Sequence, residues 1–215
     1  DLDGEYEHLL VAPTSLKNNI IKYIHREKMK AESFQPCGIF MKMNSLTDRQ
    51  IIDALAEASC AGVSIFLLVR GICCIRPGIP GKTENIQVES IVGRFLEHSR
   101  IYSFGSGQDL EIFISSADMM TRNTKRRVEV ACPIYDPALR ERLAEMIEIL
   151  KKDNVQATRL LSSGEYVSKR KRGDEPLSSQ NYFMRDARRH QRKPKQKKRG
   201  FFASVGRRIF QKHTK

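Results

Sequence analysis

The sequence predicts an α/β layer fold on three observations. Strand-length apolar runs alternate with segments of helical periodicity. Val63 to Val69 (VSIFLLV) is continuously apolar and rich in β-branched and aromatic residues, as suits a strand buried on both faces of a parallel sheet. The stretch after Arg70, GICCIRPGIPGKTEN, is too rich in turn formers for regular structure and too apolar for a disordered linker. It reads as an ordered loop beyond the carboxyl end of a buried strand, where α/β proteins place their sites.

Each element follows from local pattern. His8 to Val11 is a short apolar run closed by Pro13, and Ser15 caps a helix whose Leu16, Ile20, Ile21 and Ile24 share a face. Cys37 to Met43 has strand length and includes Lys42. Ser45 or Thr47 caps a second helix through Ile51, Ile52, Leu55, Ala56 and Ala58, with Gly62 placed to stop it. After the strand at 63–69 and the loop, Ile86 to Leu96 is expected to be helical. Ser99 to Phe104 and Leu110 to Ile114 flank Gly105-Ser-Gly-Gln-Asp as a hairpin. Arg127 to Cys132 is a strand, and Pro137 in a first turn opens a helix to about Asp153 along Leu139, Leu143, Met146, Ile147 and Leu150.

Charge is unevenly placed along the 215 residues. The formal net charge is +13, yet Lys169 to Lys215 alone holds 17 Lys and Arg against 3 acids, leaving 21 bases and 22 acids in residues 1–168. The body therefore has no general positive field, and any anion chemistry there must come from particular side chains. Two domains are expected: an α/β body over 1–168 and a flexible basic tail over 169–215. On a helix, Phe201, Phe202, Val205, Ile209 and Phe210 of the tail would form an apolar stripe beside Arg207, Arg208 and Lys212, suited to a polyanion or an anionic membrane surface. No apolar run approaches the roughly 18 residues of a membrane helix. Cys37, Cys60, Cys73, Cys74 and Cys132 are odd in number and form no CxxC, so they read as buried thiols in a reducing cytoplasm. The acidic start at Asp1 lacks an initiator Met and shows no secretion signal, which suggests a fragment or processed product.

His98 and Arg100 form an HxR at the start of an expected strand, where period 2 would put both on one side. A neutral imidazole attacks phosphorus or moves a proton near pH 7, and a guanidinium forks onto phosphoryl oxygens. The same spacing recurs at His190 and His213, so the pair alone is weak. It gains specificity from IFISSADMMTRN one hairpin later, which resembles the second half of the phospholipase D-like pattern of an HxK strand followed by a small-residue turn. Ser115, Ser116 and Asp118 would fill that turn, with the hydroxyls donating to phosphate and Arg122 and Asn123 behind them.

The runs KMNSLTDRQIIDALAEASCAGV, VRGICCIRPGIPG, ENIQVESIVGRFLEHSRIYSF and ISSADMMTRNTKRRVEV resemble the C-terminal part of bacterial polyphosphate kinases over about Leu9 to Leu161. The resemblance implies a phospholipase D-like mixed sheet flanked by helices, the second of two such domains. It implies reversible transfer of the terminal phosphate of ATP to polyphosphate through a phosphohistidine on an upstream domain absent from this chain. His98 matches the second histidine of that family, which faces the phosphorylated one. Arg70, opening VRGICC, matches a nucleotide-phosphate contact, and Lys42, Arg100 and Arg122 are expected phosphate contacts. Mg²⁺ is expected with ATP, on ligands outside this chain. Upstream domains of the same enzyme, a homo-oligomer, and a cytoplasmic location peripheral to the inner membrane are further expectations. Where the family has Trp after SSAD this chain has Met119, a change of packing that leaves the polar residues intact. Two other classes fit parts of the sequence: a phospholipase D-like phosphodiesterase, and a non-catalytic fragment that binds polyanions through its tail.

Overall fold

A computed structural model describes residues 6–192, with side chains through 189. The tail stripe at 201–212 lies outside the described residues. Strand β1 (Leu10–Ala12) leads into helix α1 (Leu16–Glu32), then β2 (Ile39–Met43), α2 (Arg49–Cys60) and β3 (Ile65–Val69). The chain continues through β4 (Ile86–Ile91), the hairpin β5 (Arg100–Phe104) and β6 (Glu111–Ser115), the short α3 (Thr121–Arg126) and β7 (Glu129–Pro133). Helix α4 (Pro137–Lys152), β8 (Ala157–Leu160), β9 (Tyr166–Ser168) and α5 (Ser179–Arg192) complete it. The nine strands form one sheet in the order β1-β7-β6-β5-β2-β3-β4-β8-β9. Strands β2, β3 and β4 run parallel in its middle, and every other pairing is antiparallel.

Period 2 sorts the central strands onto two faces. Met41, Met43, Ile65, Leu67 and Val69 join Leu16, Ile20 and Ile24 of α1 and Ile51 and Leu55 of α2 in one buried cluster. Phe40 and Phe66 point the other way and stack at 5.9 Å, with Lys151 of α4 over both rings. Met119 is fully buried in the first cluster, so the packing change expected there falls in the core.

Three local expectations need correction. Residues 86–91 are a strand, because Ile86 and Val88 alternate into the core while the backbone pairs with β3 on one side and β8 on the other. The α2 cap is neither Ser45 nor Thr47: the Asp48 side chain accepts from Gln50 N and Ile51 N. Asp48 is also buried against Lys17 Nζ at 2.7 Å and Thr124 Oγ1 at 3.1 Å, so tertiary partners chose it. The cysteines are not buried, since Cys60 and Cys74 are exposed and the other three intermediate.

The loop after β3 is ordered as expected. Leu46 N donates to Ile72 O, and Cys74 N returns the bond to Leu46 O. Farther along, Thr83 ties the turn through Ile79 N and Arg76 O. The hairpin turns at Gly105, whose φ of +91° belongs to glycine and where a Cβ would lie 2.5 Å from Asp109 O. Order continues past residue 168, and the compact unit that holds the sheet runs on to Gln180. Lys169 reaches back to the buried carboxylate of Glu89, which also accepts from Arg159. Ser179 donates through N and Oγ to Asp153 at 2.8 and 2.7 Å. Among the described residues, no helix is long and apolar enough to cross a membrane.

Candidate functional site

The parallel strands β2 and β3 end beside the start of the antiparallel β5, and the polar residues gather at that end of the sheet. Asp118 is their hub. It accepts from Asn44 N at 2.7 Å and from Asn44 Nδ2 at 3.0 and 3.2 Å. Arg100 forks onto the same carboxylate, Nε to Oδ1 at 3.2 Å and Nη2 to Oδ2 at 3.0 Å. Burial pushes the Asp118 carboxyl up, but the Arg100 and Asn44 hydrogen bonds outweigh it and hold it below the ordinary carboxylate range.

Two groups extend from that hub. Arg70 Nε donates to Asn44 Oδ1 at 2.5 Å, which leaves its two Nη groups for a ligand. Arg100 Nη1 donates to His98 O at 3.0 Å and lies 3.2 Å from His98 Nδ1. A guanidinium only donates, so Nδ1 accepts and the neutral ring carries its proton on Nε2. One hydrogen-bonded line thus runs Arg70, Asn44, Asp118, Arg100, His98. The imidazole at its end is exposed, with Nε2 as its available donor.

The other expected site residues fall in different places. Lys42 is buried, donating to Glu97 O at 3.3 Å and to Ser99 O and Oγ at 3.1 and 3.0 Å, with Glu97 Oε2 at 3.2 Å. Desolvation lowers its pKa against the opposing pull of Glu97. It braces the main chain on both sides of His98 rather than facing solvent. Arg100 is likewise engaged with Asp118 rather than open to phosphate. Arg122 is exposed on α3 and takes no part in the line. Ser115 Oγ donates to Val130 O and accepts from Ala117 N, while Ser116 Oγ pairs with Glu129. Those hydroxyls shape the turn instead of pointing at a ligand. Tyr102 OH supports the same turn, donating to Ala117 O at 2.5 Å, and burial drives its pKa well up.

Sequence reasoning missed Asn44, Glu97 and Gln180. Asn44 carries a signal that was available, since it stands two residues from Lys42 and at the end of a buried strand. Gln180 lies far along the chain and gave none; its amide bonds Phe95 N, Phe95 O and Glu97 Oε1. Among the described residues, no group of three or more His, Cys, Asp and Glu could hold a metal ion. Both oxygens of Asp118 are taken by Arg100 and Asn44, so the site's own carboxylate does not fit Mg²⁺.

A family model described as polyphosphate kinase C-terminal domain 2 matches residues 9–180. A polyphosphate kinase of Thermosynechococcus vestitus is 51% identical over 162 residues, 75% of this chain and 22% of that protein. One from Pseudomonas aeruginosa is 51% identical over 158 residues, 74% of this chain and 23% of the relative. The crystal structure of polyphosphate kinase from Porphyromonas gingivalis superposes with a TM-score of 0.83 at 39% identity, covering 87% of this chain and 29% of that one. A phospholipase D family member, Nuc from Salmonella typhimurium, matches at TM-score 0.53 and 17% identity over 72% of this chain and 97% of its own, a likeness of fold. The expected phospholipase D-like mixed sheet flanked by helices is therefore the fold observed. The chain spans about a quarter of the length of the curated relatives it matches. A hydrogen-bonded network built on the quoted motifs, a match over most of the chain and a superposition on a solved relative agree: this chain belongs to the polyphosphate kinase family.

Proposed function

We propose that this domain supplies one side of a site that moves the terminal phosphoryl group of ATP onto polyphosphate, reversibly, through a phosphohistidine on an upstream domain of the same enzyme. Phosphoryl transfer is mainly positioning and charge neutralisation. A histidine nitrogen on that upstream domain forms a P–N bond as the bond from the γ-phosphorus to the ADP oxygen breaks. The terminal oxygen of polyphosphate then attacks the phosphorus and releases the histidine. Arg70, with Nε spent on Asn44, presents its Nη groups to the phosphoryl oxygens. His98 donates from Nε2 to the group in flight, where charge builds on oxygen. Mg²⁺ is expected to arrive with the nucleotide on ligands outside this chain.

The observation that carries this reading is the continuous line from Arg70 to His98, which holds a guanidinium and an imidazole at one end of the sheet. In the full-length enzyme, His98→Ala and Arg70→Ala are each expected to lower kcat by about 100-fold or more while the circular dichroism spectrum and thermal midpoint stay near wild type. Rates within a few-fold of wild type for both would reject the assignment. Hydrolysis of DNA or lipid diesters without ATP would favour a phosphodiesterase instead. The measurement is ADP release against polyphosphate chain growth.

A further inference from the structure

We infer that Gln180 is a positioning residue for His98, acting with Lys42 on the segment that carries the histidine; this rests on the reading of His98 as a donor to the phosphoryl group. Residues 92–99 have no regular secondary structure. Their apolar side chains do not anchor them, since Val92, Phe95 and Leu96 are 71%, 47% and 70% exposed. A segment without buried apolar contacts opens at small free-energy cost unless its polar groups are tied down.

Gln180 ties them. The residue is 5% exposed, its Oε1 accepts from Phe95 N at 3.0 Å, and its Nε2 donates to Phe95 O and Glu97 Oε1, both at 2.8 Å. One side-chain amide thus satisfies both main-chain groups of Phe95, as a neighbouring strand would. Gly93 leaves room for two side-chain amides, because a Cβ there would stand 2.1 Å from Gln156 Nε2 and 2.8 Å from Gln180 Oε1. At the other oxygen of that carboxylate Lys42 meets Glu97 Oε2 at 3.2 Å, and it also bonds the carbonyls of Glu97 and Ser99. His98 lies between the two clamps, its N donating to Leu96 O at 3.0 Å. Gln180 is itself fixed by its neighbour Ser179, bonded to Asp153 just beyond α4. Residues past the expected boundary at 168 therefore set where the imidazole stands.

The test reads the clamp and the chemistry separately. By amide hydrogen exchange on this chain, Gln180→Ala should speed exchange at Phe95 by about tenfold while amides of β2 and β3 stay unchanged. Gln180→Glu keeps the size and the acceptor but sets a carboxylate against Glu97 and Phe95 O, and should loosen Phe95 at least as much. In the full-length enzyme Gln180→Ala should lower kcat by about tenfold, with KM for ATP within about twofold, as misplacing a catalytic group does. Unchanged exchange at Phe95, unchanged kcat, or acceleration spread through β2 and β3 would overturn the inference. Loss of activity in His98→Ala beside a wild-type Gln180→Ala sinks the clamp alone. Retained activity in His98→Ala with fast exchange at Phe95 in Gln180→Ala sinks the kinase reading and leaves the clamp.

Discussion

Asp118 balances the charges of the site, so its removal is felt twice. Asp118→Ala leaves the Arg100 guanidinium, mostly buried, without its carboxylate, and strips Asn44 of its acceptor. Breaking such a pair costs about 3 kcal/mol or more, to be read as a shift in the urea midpoint. Its pH signature has a definite sign. The native carboxyl is held below its unfolded value of about 3.9, so the stability it contributes is complete above that pH and is lost as pH falls through the native value. Acid unfolding of Asp118→Asn should therefore be less steep below about pH 4 than that of the wild type. At this scale the motifs around His98 and Arg70 were legible as family motifs because they are long and specific in residue type. The work of Asp118 was not, since a turn residue and an ion-pair hub have the same letter in sequence. Ser115 and Ser116 were misread for the same reason: a hydroxyl aimed at phosphate and one bonded to a neighbouring strand differ only in direction.

Among the elements, α2 and the end of β3 are the most constrained. Asp48 caps α2 and is buried against Lys17, so Asp48→Ala should cost about 3 kcal/mol, more than the roughly 1 kcal/mol of a cap alone. Thermal unfolding at matched pH checks it. Gly71, directly after Arg70, donates to Asn44 O at 2.8 Å, and a Cβ there would meet the same oxygen at 2.8 Å. Backbone cannot yield as a side chain does, so Gly71→Ala should part β2 from β3 where Arg70 meets Asn44. The expected result is a lower thermal midpoint and at least a tenfold loss of kcat in the full-length enzyme. Helices with a clear 3.6 period, α1, α2 and α4, were readable locally. Strand β4 was not: IQVESIVGRFL suits a helix by letter, and only partners on both edges make six of its residues a strand.

At the scale of the fold, the ion pairs of Glu89 bind late sequence to β4, and the hydrogen bonds of Asp153 bind Ser179 to the end of α4. Ending the chain at Ser168 removes Lys169 from a fully buried carboxylate and Ser179 from Asp153. A loss of about 3 kcal/mol or more is expected against the full chain, measured by urea unfolding. Exchange at Phe95 should rise in the same truncation, because Gln180 goes with it.

Alternating pattern, the VSIFLLV run and the quoted motifs were enough by themselves for the α/β class, the parallel centre of the sheet and the family. These depend on residue type and on neighbours within a turn or a strand. Which polar groups answer one another was decided only by the folded chain: Lys42 with Glu97, Arg100 with Asp118, Gln180 with Phe95. Those partners stand 55, 18 and 85 residues apart, and hydrogen-bond direction across such distances exists only once the sheet brings the strand ends together.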